Sequence, residues 1–154
     1  IDRRACESNL QGRCILAVVT ESGIRQALDQ FSRALEVEPR YAPAHAASGE
    51  YYAVLPFYSA LSPAEVFPKA LAAVTKSLEF DETLPEAHAS LAYIRAYYEW
   101  DWESADREFG RALELRPSYA EAHFSDSRFL AARAAEEAAA VKKTGVKAGK
   151  IPAY

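Results

Sequence analysis

The chain has 154 residues, 50% hydrophobic and 26% charged, with a net charge of −4. That length suits one domain or a short repeat array, and the composition suits a soluble globular chain. The longest strongly apolar run, Ile15 to Val19, falls far short of the roughly 20 residues of a membrane helix, and an acidic body disfavours broad binding to phosphate backbones.

Helix signals run along the chain, and no segment alternates apolar and polar residues long enough for a strand. The start, Ile1-Asp2-Arg3-Arg4-Ala5, does not read as a signal peptide. There is no Met, so a piece of a longer protein or a processed chain is expected. The first helix is expected over about 3–19. It carries Cys6 and Cys14, whose Cα atoms would lie about 12 Å apart on one helix. A disulfide spans less than about 7 Å, so reduced thiols and a cytoplasmic setting are expected.

The second helix starts near Ser22 and carries Ile24, Ala27, Leu28, Phe31, Ala34 and Leu35, an apolar stripe at three- and four-residue spacing. Pro39 stops it. The third starts at Pro43 and ends near Leu55, before Pro56. A longer connection covers 56–62. Ser62, Pro63 and Glu65 form a capping box with proline in the first turn. The fourth helix follows to about Phe80, with Pro68 expected to kink it or to mark its regular start. The fifth runs from Pro85 to about Glu99. Asp101 caps the sixth, which ends at Leu115 before Pro117. Ser118 and Glu121 open a last, long helix to about Lys143, and Gly145 is a plausible stop.

One signature organises these helices. Ala27, Phe31, Ala34, Leu35 and Pro39 recur 78 residues later as Ala105, Phe109, Ala112, Leu113 and Pro117. A degenerate copy, Ala70, Val74, Ser77 and Leu78, lies between, with Glu82 in the proline place. The pairs Ala44-His45, Ala87-His88 and Ala122-His123 each open a helix after a turn, at spacings of 43 and 35. Leu91-Ala92, Ser48-Gly49 and Gln11-Gly12 mark matching places inside alternate helices.

In these features residues 5–130 resemble tetratricopeptide (TPR) repeats, whose period is about 34 residues. The resemblance implies an all-α solenoid of helical hairpins, each burying its apolar face against its neighbours. The expected organisation is one domain over 1–143, with repeats at about 5–39, 42–82 and 85–117 and a half repeat at 120–143. A basic irregular tail follows at 144–154. Residues 1–141 carry 14 basic and 22 acidic side chains, while 142–154 carry four lysines and no acid.

Catalytic and cofactor signals are absent. The chain has no H-E-x-x-H, G-x-S-x-G or G-x-G-x-x-G. Gly145 to Lys150 lacks the length, the final Ser/Thr and the preceding strand of a phosphate loop. The three histidines occupy one repeat position, a layer apart, too far to share one metal ion. Asp101, Glu103, Asp106 and Glu108 crowd a helix start, where negative charge suits the macrodipole. No enzyme activity, cofactor or metal is expected.

The resemblance implies a binding groove along the first helix of each hairpin. Its repeat positions fall on Asn9, Arg13, Leu16, Glu50, Val54, Glu86, Tyr93, Tyr97, Phe124 and Arg128. Aromatic anchors and arginines suit an extended or helical peptide. The carboxylate clamp of the family uses Lys, Asn and Arg on these faces. This chain has one Asn, Asn9, and its lysines lie at Lys69, Lys76 and in the tail, so the clamp is not expected. Trp100-Asp101-Trp102-Glu103 and the long connection resemble TPR regions of bacterial multidomain signalling proteins. The expected partner is a protein or peptide, with nucleic acid and membrane disfavoured. The alternative is a homodimer through the last helix, which carries Phe124, Phe129 and Leu130 with no recognisable partner helix.

Overall fold

The computed structural model describes residues 2–14, 20–120, 122, 127, 130–135, 138 and 139. Among the described residues the architecture rests on α1 Arg3–Cys14, α2 Glu21–Val37, α3 Ala42–Val54, α4 Pro63–Phe80, α5 Pro85–Ile94 and α6 Trp102–Leu115. Among the described residues there is no strand. The helices pair in chain order as α1–α2, α3–α4 and α5–α6, and α3 then packs on α5 and α2 on α3. The result is an all-α stack of three hairpins. Helices α1, α3 and α5 are the A helices, and α2, α4 and α6 the B helices.

Local chemistry sets the ends. The Thr20 hydroxyl accepts from the Gly23 N–H at 3.1 Å and starts α2. The Ser62 N–H donates to Glu65 Oε2 at 3.0 Å at the head of α4. The Asp101 carboxylate accepts from the Ser104 N–H at 3.1 Å and starts α6. Each satisfies an amide that the first turn leaves without a helical partner. Pro68 lies inside α4 without ending it. It faces solvent, where the carbonyl it leaves unbonded can meet water.

Two connections depart from simple helix ends. The longer one begins with a 3-10 turn at Leu55–Phe57. After α5 the chain widens into a π turn at Arg95–Glu99, where a helix to Glu99 was expected. Trp100 then takes a left-handed conformation with φ 58. The expected ends of the first helix, over 15–19, and the tail at 144–154 lie outside the described residues.

The signature residues are the core. Ala27, Phe31, Ala34, Ala70, Val74, Ala105, Phe109 and Ala112 are all buried. Each buried Phe or Val contributes on the order of 1.5–3 kcal/mol. Ile24, Phe31 and Ala27 of the first hairpin pack with Ala47, Tyr51 and Val66 of the second. Phe67 of α4 stacks on Tyr98 at 4.6 Å between ring centroids, joining the second and third hairpins. Cys6 and Cys14 are free thiols.

Candidate peptide-binding groove

A close approach fixes the register of each A helix. A Cβ on Gly12 would lie 2.4 Å from Phe31 Cε1, and one on Gly49 would lie 2.3 Å from Val74 Cγ2. Ala92 packs with Phe109 at the matching place in the third hairpin. These three positions face the partner B helix, so the rest of each A helix can be counted from them.

The residues one place later are Arg13, Glu50 and Tyr93. Those six places earlier are Cys6, Pro43 and Glu86, and those five places later include Val54 and Tyr97. At about 100° per residue all lie roughly a third of a turn from the B helix. Every one is half-buried. They form one lengthwise face, neither sealed in the core nor standing free in solvent.

The sequence-predicted residues divide across this face. Arg13 lies at the α1 end and makes no ion pair among the described residues. Glu50 follows on α3. Tyr93 and Tyr97 close the other end, their rings tilted at 39° with centroids 4.7 Å apart. Glu86 is held by Arg116 at 2.6 Å, and that guanidinium lies 5.3 Å from the Tyr119 ring centre. Asn9 sits three places before Gly12, where the other repeats have Ala46 and Ala89. It is buried with them, beneath the face. Its amide is hydrogen-bonded to the Tyr41 hydroxyl, while its Oδ1 has no partner among the described residues. Leu16, Phe124 and Arg128 lie outside the described residues.

Two tyrosines beneath the face stay protonated. Burial pushes the Tyr51 hydroxyl up, the Glu50 carboxylate adds to the shift and Arg13 opposes it. Burial also raises Tyr41, and the neighbouring Cys6 thiol adds to the shift. Both therefore present neutral hydroxyls at neutral pH.

The histidines hold turns. His45 Nε2–H donates to the Pro39 carbonyl at 2.9 Å, and its ring lies 5.5 Å from that of Phe80. His88 Nε2–H donates to the Glu82 carbonyl, also at 2.9 Å. Both bonds reach back six residues across the B-to-A turn. His88 adds a second partner, Glu108 Oε2, at 2.6 Å from Nδ1. That contact was not expected from the sequence, which read Glu108 as part of the acidic start of α6. His123 lies outside the described residues. No group of three potential metal ligands occurs among the described residues.

The long 55–62 connection walls a cleft of about 320 Å³ between α2 and α4, lined by Leu28, Leu55, Leu61 and Val66 with Arg25 and Lys69 at its sides. It lies on the B-helix side of the stack. No described helix is long and apolar enough to cross a membrane.

Solved structures supply the comparison. The chain superimposes on the first TPR domain of Spaghetti (RPAP3) bound to the HSP90 peptide SRMEEVD with a TM-score of 0.64 at 17% identity, covering 87% of this chain and 97% of that one. The fold is that of a TPR domain. The TPR domain of Arabidopsis OM64 is similar too, with a TM-score of 0.62 at 16% identity over 82% of this chain and 93% of that one. Neither a protein-family model nor a curated protein matches the sequence. The TPR fold accounts for the two signature copies, since both lie on B helices and face the A helix of their own hairpin.

Proposed function

We propose that the chain is a non-catalytic interaction scaffold that holds a protein segment against the A-helix face. The observation that carries this reading is the register just described. Arg13, Glu50, Tyr93 and Tyr97 stand half-buried along one line, with Tyr93 and Tyr97 anchored on the core by one side of their rings. Tyrosine and arginine are the side chains that most often dominate protein interfaces. The Spaghetti domain with its HSP90 peptide supports a peptide as the kind of ligand. The chemistry argues for a different peptide from an acidic tail clamped by lysines, because this face carries an acid at Glu50 and has no lysine. The setting that fits the sequence resemblance is a larger bacterial regulatory protein in the cytoplasm.

Crosslinking capture tests this reading. Wild type is compared with Tyr93→Ala and Arg13→Glu, each first checked for an unchanged thermal midpoint. A partner captured by wild type and lost with both variants supports the groove. A partner retained by both moves the site elsewhere.

A second reading is self-association through the last helix. Leu130 is 45% exposed, with Ala131, Ala134 and Ala135 exposed beside it. Sedimentation at rising concentration decides it: a monomer throughout removes this reading.

A further inference from the structure

The exposed aromatics gather at one edge of the stack. Phe57 is 63% exposed, Tyr58 47% and Trp100 63%. Phe57 lies eight residues after Gly49, and Trp100 eight after Ala92. The two follow neighbouring A helices at corresponding places, so both stand where the chain turns from A helix to B helix, one layer apart. This edge lies beyond the half-buried face assigned to the groove.

Trp100 is held outward by its backbone. The π turn at Arg95–Glu99 ends with Trp100 in the left-handed region, φ 58. A bulky side chain adopts that conformation at a cost, and glycine would not. The indole is braced by Trp102, with ring centroids 5.6 Å apart at 74°. Apart from that one ring contact, the indole is a large apolar surface kept in water on strained backbone, a feature that marks interaction sites.

The segment around it is rich in acid. Residues 99–106 hold four acids, Glu99, Asp101, Glu103 and Asp106, and no base. Glu65 adds a further acid at the head of α4, beyond Tyr58. Arg95 and Arg107 reach Glu99 and Glu103 from their own helices. The Arg107–Glu103 pair is exposed and weak enough for an incoming cation to compete. The Asp101 carboxylate stays ionised, its pKa lowered by the hydrogen bonds with Ser104.

We propose that this aromatic edge docks a basic segment of a partner protein, with lysine or arginine side chains over Trp100 and Phe57 and the flanking carboxylates taking the charge. Cations bind preferentially over the face of tryptophan, and the acids supply the long-range attraction. The surface is separate from the groove and does not depend on it.

The two tryptophans of the chain are Trp100 and Trp102, so intrinsic fluorescence reports this edge directly. The probes are a short alternating Lys-Ala peptide and its Glu-Ala counterpart. The Lys peptide should shift the emission saturably and lose affinity as salt rises, while the Glu peptide leaves it unchanged. By calorimetry Trp100→Gly should bind the Lys peptide at least about tenfold more weakly and keep or raise its thermal midpoint, because glycine suits the left-handed position. Tyr93→Ala should bind it like wild type. Equal responses to both peptides, or unaltered affinity in Trp100→Gly, overturn the proposal. So does an emission shift on concentrating the protein alone, which would mark a second copy as the occupant.

Discussion

At the residue scale the two described histidines differ in one neighbour. His45 and His88 each brace a turn through Nε2, but His88 also faces Glu108. A carbonyl only accepts, so Nε2 of His88 carries a proton. The Glu108 carboxylate then favours a proton on Nδ1 as well. The Glu108 hydrogen bond raises the His88 pKa above its ordinary 6.5, burial opposes it, and the Glu82 carbonyl adds to it. A raised value means the folded state holds the proton more tightly than the unfolded chain. The stability gained is complete below about pH 6.5 and is lost as pH rises through the folded value. Thermal midpoints measured between about pH 6 and pH 9 should therefore fall more steeply for wild type than for Glu108→Gln. A second contrast concerns glycine. Gly49→Ala drives a Cβ into Val74 and the Ala70 carbonyl and should cost about 1–3 kcal/mol. Gly110 lies in α6 with nothing among the described residues within 4 Å of an added Cβ. Gly110→Ala should stabilise by roughly 0.5–1 kcal/mol. Urea titration of both variants gives the signs directly.

At the element scale the degenerate signature of α4 has a physical reading. Ser77 stands where Ala34 and Ala112 stand in the regular copies. It is fully buried, and its hydroxyl donates to the Ala42 carbonyl at 2.9 Å, tying α4 to the head of α3. Ser77→Ala should destabilise by about 1 kcal/mol, whereas the opposite change, Ala112→Ser, buries a hydroxyl and should cost more unless it finds an acceptor. Equilibrium unfolding of the pair separates these outcomes. This element also shows what was legible beforehand. The A/B pairing, the ends of α4 and α6 and the cap of Asp101 were readable because period, proline and capping act within a few residues. The small residues Gly12, Gly49 and Ala92 mark the B-facing line, and the half-buried places of Arg13, Glu50 and Tyr93 follow from it by helical period. The burial of Asn9 was not readable, because it depends on the spacing between neighbouring A helices. The π turn was hidden for the same reason. Its sequence, Arg95-Ala96-Tyr97-Tyr98-Glu99, is ordinary helix-forming sequence, and its widening goes with the stack of Tyr98 on Phe67 of the preceding hairpin. The His88–Glu108 contact joins residues 20 apart on two helices, a pairing no local pattern announces.

At the scale of the whole molecule the stack decides how the protein unfolds. The core clusters draw on adjacent hairpins. Phe31 meets Tyr51 edge-on at 4.9 Å, Phe67 meets Tyr98, and Ala89 packs with Ala112 and Ala122. A single hairpin therefore leaves much of its apolar face uncovered, and stability is shared between neighbouring units. Phe31 and Phe109 hold the same signature position, but in different surroundings. Phe31 belongs to a cluster joining the first two hairpins, while Phe109 packs chiefly within the third. Truncating either to Ala should cost about 3–5 kcal/mol at its own site. Phe31→Ala also weakens the interface to α3, so helicity should be lost in one lowered transition that includes the second hairpin. Phe109→Ala should let the third hairpin open ahead of the other two, giving a broadened or two-step melt. Far-UV circular dichroism during heating, with hydrogen exchange resolved by segment, distinguishes the two. Protection lost first across 85–115 in Phe109→Ala, with 42–80 still protected, fits a stack coupled only through its nearest interfaces. Simultaneous loss over all six helices in both variants would mean a single indivisible core instead.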